Sequence, residues 1–238
     1  MTSPTKNPLK SKGILLVDKS PGSTSFQIVH LLRRLTGVEK IGHAGTLDPF
    51  ATGVMVMLIG REFTSRSDEF LCADKEYKAV VTLGLATDTH DIEGRETFRS
   101  ETIPSQEQVE LAIACFQGEI LQMPPMFSAK KIDGKKLCDL ARRGVTIERQ
   151  PVKVTLKTTL LSYQYPLIEI VVSCSKGTYI RSLADDLGKM LGCGAHLSSL
   201  CRLRSGIFHL KDCISHSLLK NPQFDISPYL IHHLQSSR

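Results

Sequence analysis

The first strongly apolar run of the chain is Ile14-Leu-Leu-Val17, inside Gly13–Asp18. An apolar run without alternation, bounded by turn residues, reads as a buried strand. It is closed by the turn-rich Lys19-Ser-Pro-Gly-Ser23. From Thr24 or Ser25 as N-cap, Phe26, Val29, Leu32 and Leu35 recur at helical spacing until Gly37 ends the pattern. A glycine-rich loop, Gly42–Gly53, leads into a second apolar run, Val54–Ile59. Tyr77–Gly84 alternates like a strand, and Ser105–Phe116 reads as a helix with Val109, Ile113 and Phe116 on one face. Ile132-Asp-Gly-Lys135 predicts a hairpin or tight turn, followed by a short helix over Leu137–Arg143. Two β-rich runs, Val152–Tyr163 and Leu167–Cys174, precede a helix from about Thr178 to Leu191, closed by Gly192. Strands and helices mix without strict βαβ alternation, which predicts an α+β fold around a mixed sheet. Internal repeats, low-complexity segments and linkers are not evident.

A hydrophobic content of 41% supplies a real core and excludes general disorder. The longest apolar run is far shorter than the ~20 residues of a membrane span. Met1–Lys12 is polar and basic, without the apolar centre of a signal peptide, and reads as a frayed tail. The 7 cysteines are scattered with no C-x-x-C pair, so free and mostly buried thiols are expected, not a disulfide framework or a metal site. Together these features predict a soluble cytoplasmic protein. Charge is distributed unevenly. Residues 1–60 carry a net +4 and residues 61–120 a net −7, whereas residues 121–211 hold 15 basic and 6 acidic side chains. A stretch this basic is the footprint expected of a partner with a phosphate backbone.

From Ile41 to Ile59 the only ionisable side chains are His43 and Asp48, among Gly, Ala and Thr. Glycines there let the backbone approach a ligand, and Pro49 holds Asp48 extended. A carboxylate so fixed could serve as nucleophile or general base, or simply close an Asp-Pro turn. In Lys176-Gly-Thr-Tyr-Ile-Arg181, Gly177 permits a strand-to-helix turn and the helix start offers amides to a phosphate. Arg181 could pair with a buried carboxylate, grip RNA or lie on the helix surface. Lys19-Ser-Pro-Gly-Ser-Thr24 lacks the spacing of a nucleotide-binding P-loop. His90-Asp91-Ile-Glu93 offers no clear fourth metal ligand, and His232-His233 reads as tail.

In chain order, these segments resemble the TruB family of tRNA pseudouridine synthases over about residues 13 to 216. The resemblance is carried by Gly13–Ser25, Gly42–Gly53, Lys75-Glu-Tyr-Lys78 with Leu83-Gly84, and Thr87-Asp-Thr89. It continues through Gln122-Met-Pro-Pro125, Ser128-Ala-Lys130, Leu140–Gly144, Cys174–Arg181 and Asp185–Gly188 to Ala195-His196 and Leu203–Gly206. It implies a pseudouridine synthase fold, a mixed central sheet flanked by helices with a catalytic cleft. The implied reaction converts the T-loop uridine of tRNA, position 55, to pseudouridine without metal or organic cofactor. By the same resemblance Asp48 is the catalytic aspartate, Tyr77 stacks on the flipped base and is a candidate for removing the C5 proton, and Arg181 pairs with the aspartate. His43 belongs to the loop that splays the T loop. Lys19, Lys130 and Tyr179 would line the site or contact RNA, and Leu200 would wall the base.

Three departures stand out. Ser20 replaces a usual proline, and Cys138 a common aromatic. The stretch after Lys211 reads as too short for the C-terminal RNA-binding domain common in the bacterial family. The resulting domain reading is a tail over 1–12, a catalytic domain over 13–216 and an extension over 217–238. The basic 121–211 segment is expected to carry more of the grip on the tRNA T-arm. Nothing in the sequence calls for a partner chain or membrane, and a monomer is expected. The alternatives are a non-catalytic tRNA-binding or folding factor on the same scaffold, and an N-glycoside hydrolase.

Overall fold

The computed structural model describes residues 12–128, 130–132 and 134–232. Nearly all of the expected tail, Asp133 of the predicted turn and residues 233–238 lie outside the described residues. The elements run β1 (Gly13–Lys19), α1 (Ser25–Thr36), β2 (Ile41–His43), β3 (Thr52–Ile59), α2 (Arg61–Thr64), α3 (Ser67–Leu71) and β4 (Lys75–Leu83). Next come β5 (Leu85–Thr87), β6 (Glu96–Arg99), α4 (Gln106–Ala114), β7 (Gln117–Gln122), β8 (Lys131–Ile132), β9 (Lys135–Lys136) and α5 (Leu137–Ala141). The last are β10 (Val152–Gln164), β11 (Leu167–Cys174), α6 (Ile180–Met190), β12 (Ala195–Ser205), β13 (Phe208–His209) and β14 (Ile214–Ser215). The chain divides into two compact units, one of residues up to Lys75 and from Cys201 onward, the other Glu76–Leu200.

In the first unit the strand order is β14-β1-β3-β12. β1 runs antiparallel to β3, from Gly13 opposite Ile59 to Lys19 opposite Gly53, and parallel to β14. The end of β12 lies parallel to β3, with Cys201 opposite Thr52, and β2 pairs antiparallel with β3. The sheet is therefore mixed. Every residue of β3 from Gly53 to Ile59 is buried, which explains its lack of alternation. One face packs Ile14, Leu16, Val54, Val56 and Leu58 against Phe63, Phe70 and Phe208. On the other, Met55 meets Ser25 at the start of α1. Helix α1 begins where predicted because Thr24 and Gln27 form a reciprocal capping box, and it ends on Gly37 in the left-handed region at φ 70°.

The second unit has the order β12-β4-β11-β10-β7. Along β4, Lys75, Tyr77, Ala79, Val81 and Leu83 are buried in turn while the residues between them are not. Helix α4 buries Val109, Ala112 and Ile113 and ends at Ala114, so Phe116 reaches the core from the following turn. Helix α6 starts at Ile180, not Thr178, because Tyr179 is held extended as its N-cap. At Gly188 a side chain would overlap Gly194 and Ala195, so a backbone this close to the helix requires glycine.

Two expectations need correction. Ile41–His43 is a strand, not loop, because its pairing comes from β3 and not from any alternation of its own. The 7 thiols are free, but only Cys174 and Cys193 are buried. Cys72 and Cys115 fall at exposed helix ends. Among the described residues no helix is long and apolar enough to cross a membrane.

Candidate active site

In the first unit, Asp48 occupies the connection from β2 to β3 and is partly exposed, on a backbone fixed at both flanks. Before it, Ser25 Oγ receives the Leu47 N–H at 3.2 Å and donates to the Leu47 carbonyl at 3.3 Å. After it, the Lys19 ammonium donates to the carbonyls of Ala51 (2.6 Å) and Pro49 (2.9 Å), and Gly22 N–H adds a bond to Pro49 at 2.9 Å. Ala51 N–H closes a turn onto the Asp48 carbonyl at 3.1 Å. Gly53, at φ 100°, lets the backbone of Arg202 lie where a Cβ would otherwise sit. The result is a carboxylate presented on a loop with little freedom to move.

His43 ends β2, and its Nδ1 is buried without a hydrogen-bond partner among the described residues. Burial first, and the nearby Arg202 charge second, hold its pKa below the ordinary 6.5. Burial lowers His90 and His216 likewise. The unfolded chain gains protons on these rings as pH falls through 6.5 while the native rings resist. Stability is therefore fully present above that pH and declines below it. Melting temperatures at pH 7.5 and 5.5 test this: the lower pH is expected to give the lower value, and equal values would contradict the burial argument.

In the second unit Arg181 is 4% exposed. Its guanidinium donates to the carbonyls of Phe127 (2.6 Å) and Thr89 (2.9 Å), and it pairs with Asp91 at 3.4 Å. Asp91 also accepts from Thr89 Oγ1 at 2.6 Å and from Glu93 N–H at 3.1 Å. Arg181 is thus a buried, paired arginine and not a surface one. Its place at the start of α6 is set by Gln122, whose fully buried amide bonds Tyr179 in both directions, at 2.8 and 3.0 Å. Ser182 Oγ adds a bond to the Met123 carbonyl at 2.9 Å.

Of the other candidates, Tyr77 is 8% exposed on the buried face of β4, and Leu200 is 6% exposed in β12. Tyr179 and Lys130 are partly exposed. Lys19 is fully buried, and its ammonium bonds the Pro49 and Ala51 carbonyls of the Asp48 loop. Three further residues belong to these two features, the Asp48 loop and the Arg181 helix start. Asp91, a possible metal ligand by sequence, is the Arg181 partner; among the described residues no group of three or more His, Cys, Asp or Glu could hold a metal. Gln122 was noted only within its motif, and Arg202 carried no signal at all.

A family model described as TruB family pseudouridylate synthase (N terminal domain) matches residues 33–180. The chain belongs to the TruB family. A second model, described as tRNA pseudouridylate synthase B C-terminal domain, matches residues 181–235. The chain is 60% identical over 219 residues to the tRNA pseudouridine synthase B of Chlamydia pneumoniae, covering 92% of this chain and 93% of that protein. It is 43% identical over 204 residues to the protein of the same name from Endomicrobium trichonymphae, covering 85% of this chain and 88% of that one. Among solved structures it resembles a chain of a Cbf5-Nop10-Gar1 complex, with a TM-score of 0.69 and 28% identity over 92% of this chain. It spans 60% of that longer relative. The α+β architecture with its mixed sheet is the pseudouridine synthase fold. The Asp48 loop lies in the first unit and the Arg181 helix start in the second.

Proposed function

We propose that this chain isomerises uridine to pseudouridine in tRNA, at the T-loop uridine, position 55. The observation that carries the reading is the Asp48 carboxylate, held on a loop clamped at both flanks, in a TruB family chain. The reaction breaks the N1–C1′ bond, turns the base and forms a C5–C1′ bond. The C5 proton leaves to water and N1 gains one, so the composition is unchanged and no redox or group-transfer partner is required. Asp48 acts as the nucleophile, at the uracil ring or at C1′, or removes a 2′ proton. By the TruB resemblance, Tyr77 is the ring for stacking on the base and a candidate acceptor for the C5 proton, and Arg181 is the arginine of the site. Extracting the base costs a few kcal/mol. A neutral His43 replaces it in the stack without carrying a charge out of water. Lys130 and Tyr179, both partly exposed, contact the RNA, and Leu200 walls the base.

The test is incubation with an unmodified tRNA transcript, then carbodiimide labelling and primer extension. A new stop at the T-loop uridine alone is the expected result. Tight binding with no stop would favour a tRNA-binding factor, and free uracil a glycoside hydrolase. Because residues 121–211 carry 15 basic side chains against 6 acidic ones, binding should also be strongly salt-dependent. With roughly five phosphate contacts, log K falls with log salt at a slope of about −4. A flat dependence would remove the basic segment from the interface.

A further inference from the structure

Arg202 is 1% exposed and is among the largest fully buried side chains of the protein. Its Nε donates to the Val54 carbonyl at 2.7 Å, Nη2 to the Gly45 carbonyl at 3.2 Å and Nη1 to the Thr46 carbonyl at 3.4 Å. Nη2 also lies 3.4 Å from the Met55 sulfur. Among the described residues no carboxylate pairs with it. A buried guanidinium without an ion pair is costly, and a hydrophobic side chain of similar size would commonly serve packing as well. What the guanidinium adds is geometry. One rigid planar fork ties the entry of the Asp48 loop, at Gly45 and Thr46, to β3 beyond its exit, at Val54. Lys19, a flexible chain, grips the exit side, at Pro49 and Ala51.

We infer that Arg202 is a positioning residue for Asp48, an inference that rests on the catalytic reading of that aspartate. It fixes the span between Thr46 and Val54, and so where the carboxylate stands. Displacement of a reacting group by about 1 Å can cost a hundredfold in rate. The loss belongs to the chemical step and not to tRNA affinity, because Arg202 is buried and touches the loop only through main-chain carbonyls.

The experiment compares the parent chain with Arg202→Met, Arg202→Lys and Leu219→Ala. Single-turnover pseudouridine formation, tRNA Kd and melting temperature are measured for each. Leu219 is 1% exposed in the same unit, outside the site, and reports what lost packing does by itself. Arg202→Met is expected to slow the chemical step about a hundredfold, with Kd changed less than about threefold. Arg202→Lys, which keeps a donor but not the fork, should recover about tenfold of that, and Leu219→Ala should lower the melting temperature with little effect on rate. A rate within about threefold of the parent in Arg202→Met would overturn the inference. So would equal losses of rate and affinity with no recovery by lysine. If Arg202→Met does not fold, Arg202→Lys decides: a slower step at unchanged Kd supports positioning, whereas an unchanged rate or a second folding failure overturns it. An inactive parent chain that still binds tRNA would instead overturn the functional reading, and the inference with it.

Discussion

Asp48→Asn is expected to bind tRNA like the parent chain and to form pseudouridine at least about a thousandfold more slowly. Asparagine keeps the shape of the side chain while removing its charge and its capacity as nucleophile or base. The clamp around the loop uses the side chains of Lys19, Ser25 and Arg202 on main-chain atoms of its neighbours. The substitution therefore leaves those bonds in place. Release of tritium from C5-labelled uridine measures the chemical step directly, and filter binding measures affinity. Activity within about tenfold of the parent would remove Asp48 from the catalytic role. Lost binding together with lost activity would mean that the carboxylate serves the fold or the RNA contact instead.

The sequence made visible those features whose cause is local. The apolar run Val54–Ile59 reads as a buried strand because every residue of it is buried, and the α1 boundaries are set by Thr24, Gln27 and Gly37 within the segment itself. Asp48 stood out as the sole carboxylate in a glycine-rich loop. Features caused by distant residues did not stand out. Tyr179 looks helical by sequence, but the Gln122 amide, 57 positions away, bonds its N–H while the residue stands extended. Lys19 is expected to line the site or contact RNA because charge normally implies exposure, whereas it is fully buried and its ammonium bonds carbonyls of the Asp48 loop; Arg202 has no sequence signal because its carbonyl partners lie about 150 positions away. Asp91 was considered for a metal because its neighbours in sequence suggested one, but its partner at 3.4 Å is an arginine 90 positions later.

That ion pair gives the second large expected effect. Both side chains are nearly buried, at 5% and 6% exposure, so little solvent screens the pair. Arg181→Met leaves the Asp91 carboxylate without its counter-ion, and the carbonyls of Thr89 and Phe127 without a donor. Its expected cost is about 3–5 kcal/mol, the range for breaking a buried pair. Asp91→Asn is milder, at about 1–3 kcal/mol, because an amide oxygen can still accept from Thr89 and Glu93 while Arg181 keeps its two carbonyls. The double variant should cost less than the sum, by a coupling of about 1–3 kcal/mol, since the carboxylate that methionine would strand is then gone. Urea unfolding followed by far-ultraviolet circular dichroism measures each cost. Additive costs would mean that the two groups are neighbours without a working interaction. A coupling of the expected size would mean that the turn at Thr89–Asp91 and the first turn of α6 are held as one piece. The guanidinium is then already oriented in the folded chain, and its side-chain entropy is lost at folding.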